Sequence, residues 1–154
     1  LLIFKRCKNW KFILNKLLTR FSIMDNLLEA IIYGDISYVK WILKYNIDIN
    51  TPDSNKITYL HYACFYGHLN IVQELINSGA NLNIKDKKGY TPLYCASYSG
   101  KNDICNFLII NGANIEEENE KCTPLHGACV GGHKDTALML ISKGASRLML
   151  LNLL

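Results

Sequence analysis

Four residues toward the C-terminal end have the side chains that do chemistry. Cys122, His126, Cys129 and His133 read C-x3-H-x2-C-x3-H, and thiolate and imidazole both bind zinc. Helical spacing would put Cys122, His126 and Cys129 on neighbouring turns. Structural zinc sites, however, use a close C-x2–4-C pair, and this run has none. Cysteine with histidine is also the pairing of a thiol nucleophile and its base. Just upstream, Glu116, Glu117, Glu118 and Glu120 form an acidic run. A general-acid pair needs one partner in a dry pocket, whereas adjacent charges read as a solvated face, one that a basic patch on a partner would meet. Gly131-Gly132 reads as a turn between helices rather than a strand-to-helix phosphate loop. The expectation is no catalytic set, no cofactor and no metal.

The elements that must carry these residues repeat along the chain. Tyr-Leu-His-Tyr-Ala-Cys occupies 59–64, Thr-Pro-Leu-Tyr-Cys-Ala-Ser 91–97, and Thr-Pro-Leu-His-Gly-Ala-Cys 123–129. Thr58 and Thr91 are 33 residues apart, Thr91 and Thr123 32. Ala30, Ala63, Ala96 and Ala128 share one position, and Gly34, Gly67, Gly100 and Gly132 another, at a predicted helix–helix turn. Gly79, Gly112 and Gly144 end each second helix; Asn46 stands there in the first unit, the next best residue for the site. Second helices carry periodic apolar faces: Val39, Ile42 and Leu43; Ile71, Val72, Leu75 and Ile76; Ile104, Cys105, Leu108 and Ile109; Ala137, Leu140 and Ile141. Threonine hydroxyls at 58, 91 and 123 suit helix caps, and Pro92 and Pro124 suit first helical positions. Between units, Ile84–Tyr90 and Glu116–Cys122 read as hairpin-like fingers. Gly89 marks the finger turn, a glycine lost at Lys56 and Lys121.

Period, glycines, alanines and the Thr-Pro-Leu-His phrase recur in phase over roughly residues 25–146, and in this the chain resembles the ankyrin repeat family. The resemblance implies an all-α solenoid of stacked helix–turn–helix units with hairpin-like fingers. We expect a partial unit at 25–52 and full units at 53–85, 86–117 and 118–146. One unit cannot bury its apolar face alone, and three and a half lie near the lower limit for stability. His126 and His133 then hold ordinary repeat positions, which His61 and His68 also hold. Such histidines make backbone and inter-repeat hydrogen bonds, so structure outweighs metal at that run.

By the same resemblance the chain is a non-catalytic module that binds another protein through fingers and the concave first-helix face. The positions that map there are Ile32, Tyr33, Ile57, Phe65, Tyr66, Lys87, Lys88, Tyr90, Tyr98, Ser99, Asn119, Glu120 and Val130. Several are aromatic, and tyrosine is enriched in interface hot spots. Phe65 and Tyr98 have a competing role in packing on neighbouring units. Asn50 and Asn83 match the asparagine that many ankyrin repeats present to a cytosolic hydroxylase, with a finger hydrogen bond as the plainer role; Glu116 replaces it in the third unit. Two alternatives stay open: a regulatory or targeting fragment of a larger protein (kinase, channel or ligase adaptor), and an array tethered to membrane by its leader.

Charge is unevenly spread. The net charge of +4 rests on residues 1–23, with Lys5, Arg6, Lys8, Lys11, Lys16 and Arg20 and no acid. Without those six, 11 basic residues face 13 acidic ones, a net of −2, so the repeats offer no basic face for nucleic acid. Within the leader, Trp10, Ile13, Leu14, Leu17, Leu18 and Phe21 recur at helical spacing. That stripe fits a cap on the first unit or untranslated sequence, and beside these a membrane-surface or targeting segment. Met24-Asp25-Asn26 opens the first unit as natural starts do, with Asp25 as its cap, so Met24 reads as the biological start and residues 1–23 as upstream translation or a fragment of something longer. Leu148–Leu154 is an apolar tail after Arg147, read as truncation or as cover for an exposed end. No run of 18 uncharged apolar residues occurs. Six cysteines, two of them in the same repeat position (Cys64 and Cys129), read as reduced thiols. The expected location is intracellular and cytoplasmic.

Overall fold

The computed structural model describes residues 26–45, 47–116 and 123–146. The expectations for residues 1–25, Asn46, Arg147 and 148–154 fall outside them. Eight helices and no strand occur among the described residues. They are α1 (residues 26–33), α2 (Ile36–Leu43), α3 (Tyr59–Tyr66), α4 (Leu69–Asn77), α5 (Pro92–Tyr98), α6 (Asn102–Ile110), α7 (Pro124–Val130) and α8 (Lys134–Ser142).

The repeated phrase sets where first helices start. The Thr91 and Thr123 hydroxyls accept the amides of Tyr94 and His126, both at 3.2 Å. Proline follows each threonine, where a helix has no use for an amide proton. Helix α3 lacks the proline and starts differently: the His61 ring folds back, and Nδ1 accepts the Thr58 amide at 3.2 Å.

Helices pair across glycine turns. At Gly100 the backbone has φ of +66°, and an added Cβ would lie 2.5 Å from the His133 ring of the next unit. The left-handed backbone and the close neighbour both demand glycine there. First helices pack on first helices (α3 on α5, α5 on α7), and second on second (α2 on α4, α4 on α6, α6 on α8). The result is two layers. One apolar core runs through the first three pairs, with Leu27, Ile42, Leu60, Leu75, Leu93 and Leu108 all fully buried or nearly so. The last pair has a smaller core of Leu125, Ala128, Leu140 and Ala145, joined to the first through Ile109 and Met139.

The two described fingers are tight turns tied by one aspartate each. Asp53 and Asp86 donate their own amides to the carbonyls of Ile57 and Tyr90. Asp53 Oδ1 accepts the amides of Asn55 and Ile57, both at 2.8 Å, and Asp86 Oδ1 those of Lys88 and Tyr90 at 2.8 and 2.9 Å. The first finger keeps the backbone of the second although lysine replaces glycine: φ is +60° at Lys56 and +87° at Gly89. Neighbouring units are clipped together below the fingers. Asn50 accepts the Asn81 amide at 2.8 Å and donates to the Gly79 carbonyl at 3.1 Å, and Asn83 accepts the Asn114 amide at 2.8 Å. Glu116 does the same work with a carboxylate, accepting the Ser146 amide.

Candidate functional site

A row of aromatic rings runs along the first-helix layer. Tyr90, at the base of a finger, stacks on Tyr94 with centroids 4.0 Å apart and planes 2° from parallel. Tyr94 continues to Tyr98 at 6.4 Å, and Tyr98 to Phe65 of the preceding unit at 6.5 Å. Tyr66 meets the Phe65 ring edge-on at 5.4 Å. The separations of 5.4–6.5 Å lie in the range that favours aromatic pairing, so these rings hold one another in the free chain. It stays accessible: Phe65, Tyr66 and Tyr98 are each just over 40% exposed (43%, 41% and 41%).

Beside this row lies a cavity of about 230 Å³, lined by Ile57, His61, Tyr62, Phe65, Tyr66, Asp86 and Cys95. It sits between the second unit and the finger of the third. His61 forms its floor, almost fully buried. Its Nε2 lies 3.0 Å from the Tyr90 carbonyl, which can only accept, so Nε2 carries the proton and Nδ1 is the acceptor. Burial pushes the His61 pKa below its usual value, keeping the ring neutral. Tyr62 donates its hydroxyl to Asp53 Oδ2 at 3.0 Å. Burial and then that bond push the Tyr62 phenol up to about 12. Partial burial disfavours ionised Asp53, but the bonds from Ile57, Asn55 and Tyr62 outweigh it and hold the carboxyl below its usual range.

The candidate chemistry read from the sequence is placed as follows. His126 lies on α7, half-buried, and its Nδ1 is enclosed with no hydrogen-bond partner among the described residues. Cys129 is half-buried on the same helix, His133 packs its ring near Gly100, and Cys122 lies outside the described residues. His68 Nε2 donates to the Ile32 carbonyl at 3.1 Å, an inter-repeat bond like that of His61. Cys64, Cys95, Cys105 and Cys129 carry free thiols. Burial pushes Cys64 well above the ordinary thiol range, Cys95 to about 12 and Cys105 to about 11. A thiol at such values holds almost no thiolate at neutral pH and is a poor nucleophile. Glu117, Glu118 and Glu120 of the acidic run, with Asn119 and Lys121, fall outside the described residues.

Ile57, Phe65 and Tyr66 share the cavity, and Tyr90 and Tyr98 belong to the aromatic row. Lys87 and Lys88 are exposed on the finger tip, and the Lys87 amide donates to the Asn55 carbonyl of the preceding finger at 2.9 Å. Tyr33, 78% exposed, lines a separate hollow with Glu29, Asp35 and Tyr38. Half-buried Ile32 and Ser99, and exposed Val130, lie at the ends of first helices, outside the cavity. The sequence reading passed over Asp53, Asp86, Tyr62 and Tyr94. The 33-residue interval between the two aspartates is a signal that would have found that pair.

The family model for ankyrin repeats (3 copies) matches residues 27–119 and again 80–148. The chain belongs to the ankyrin repeat family. The comparison with curated proteins gave no significant match. Ankyrin repeats are generally protein-interaction modules and generally non-catalytic. Among the described residues of this ankyrin array, no helix is long and apolar enough to cross a membrane.

Proposed function

We propose that the chain binds another protein through the face formed by its first helices and fingers, with no chemistry of its own. The observation that carries this reading is the ordered row of half-exposed rings, Tyr66, Phe65 and Tyr98, beside an open cavity. Rigid aromatic anchors give large contact area at small entropic cost on binding. The finger residues Ile57, Lys87, Lys88, Tyr90, Asn119 and Glu120 then frame the contact, with Ile32, Tyr33, Ser99 and Val130 extending it along the stack. The free thiols support a reducing, intracellular setting.

The test is capture of a partner on the full chain, followed by titration with the purified partner. Tyr66→Ala and Tyr98→Ala should each weaken binding by about 2 kcal/mol, close to 30-fold, in chains that still melt cooperatively above the assay temperature. Trp41→Ala alters an exposed ring on the second-helix layer and should leave affinity unchanged. If both tyrosine variants bind as well as the parent chain, the face is wrong.

A further inference from the structure

Asp53 and Asp86 hold the same place in successive fingers, yet their second oxygens differ. Both use Oδ1 to tie the finger amides. Asp53 then uses Oδ2 to accept the Tyr62 hydroxyl from its own first helix. One unit on, the position of Tyr62 is taken by Cys95. No hydrogen bond from Cys95 or any other described residue reaches Asp86 Oδ2. Where the tyrosine ring would lie there is a cavity, walled by Tyr62, Phe65 and Tyr66 and bordered by Asp86. His61 at its base is neutral and already bonded on both nitrogens. The cavity therefore combines aromatic walls, one carboxylate with a spare acceptor, and no cation in its lining.

We propose that this cavity receives an arginine side chain of the partner. The inference rests on the binding face proposed above and names the group that face recognises. A guanidinium is planar, stacks on aromatic faces and donates in-plane N–H bonds to a carboxylate. A lysine ammonium is more strongly hydrated and offers no plane to stack, and a trimethylated ammonium has no N–H to supply the bonds. Lys56, Lys87 and Lys88 are exposed at the finger tips and do not line the cavity. Salt screens them over about 8 Å at physiological strength, while a contact pair at Asp86 is screened far less.

N-acetyl-arginine amide is the probe, titrated into the full chain and followed by amide NMR shifts. The expected result is saturable shifts at Tyr62, Phe65, Tyr66 and Asp86 with a dissociation constant of about 1 mM, the range of a single anchored side chain. N-acetyl-citrulline amide has the same shape without the charge and should bind roughly tenfold more weakly or not at all. Asp86→Asn keeps an oxygen for the finger amides and should lower arginine affinity by roughly the same factor. Cys95→Tyr restores the arrangement of the preceding unit, fills the cavity, and should abolish the shifts while the chain still melts cooperatively. No saturable shifts at these residues, or equal binding of the citrulline, lysine or trimethyl-lysine amide, would overturn the assignment. If the arginine probe fails while Tyr66→Ala and Tyr98→Ala still weaken partner binding, the binding face stands and the arginine site falls.

Discussion

Lys56 holds a backbone that suits glycine. Its φ of +60° sits in the left-handed region, where a side chain costs about 1–2 kcal/mol. Lys56→Gly should therefore raise stability by about 1 kcal/mol after the added chain entropy is offset, and a urea midpoint that stays put or falls would refute the strain. His61 makes stability depend on pH. Its folded pKa lies below the unfolded value of 6.5, so between the two the unfolded chain binds more protons. The contribution is complete above 6.5 and is lost as pH falls through the folded pKa. Unfolding curves from pH 7 to pH 4 should show this loss, and His61→Gln should flatten that slope while lowering stability at neutral pH. The thiols give a third check. Cys64 and Cys105 are buried with raised pKa values, so maleimide labelling read by peptide mass should leave them untouched until urea unfolds the chain.

At the scale of the helix pair, much was legible in the sequence because one phrase marks the same cap, turn and close approach in each unit. The Thr-Pro pairs at 91 and 123 start helices, and the glycines at 34, 67, 100 and 132 all take positive φ. What the periodicity obscured was polar residues in apolar places. Thr136 sits where Ile71 and Ile104 are buried, and it is buried too, because its hydroxyl donates to Asn102 Oδ1 of the preceding unit. An apolar count passes over such a residue, since only the fold brings its acceptor near. The clips at Asn50 and Asn83 read from the sequence as finger bonds, while their partners, the Asn81 and Asn114 amides 31 residues away and the Gly79 carbonyl 29 away, belong to the stack. Asn50→Ala should cost about 1 kcal/mol, the net worth of an exposed hydrogen-bond pair, and an unchanged urea midpoint would count against the clip. The last pair has the smaller core, and amides of α7 and α8 should exchange faster than those of α3 to α6. Equal protection across all four helix pairs would contradict this.

The described residues form a stack in which each pair completes its neighbour's core, so the proposed binding face is a sum of equivalent positions. That is why the resemblance to the ankyrin family, laid over the repeat register, points to Phe65 and Tyr98 as candidates. Their stacking, and the cavity left where Cys95 replaces tyrosine, needed neighbouring units in place. The sequence also assigned Asn119 and Glu120 to this face, on a finger outside the described residues. The most direct measurement of the account is a hydrogen-exchange footprint of the full chain with its captured partner. The account predicts new protection at the finger amides of 53–57 and 86–90 and at the exposed ends of α3 and α5, with α4 and α6 unchanged. Protection confined to the second helices, with the fingers exchanging as in the free chain, would contradict it.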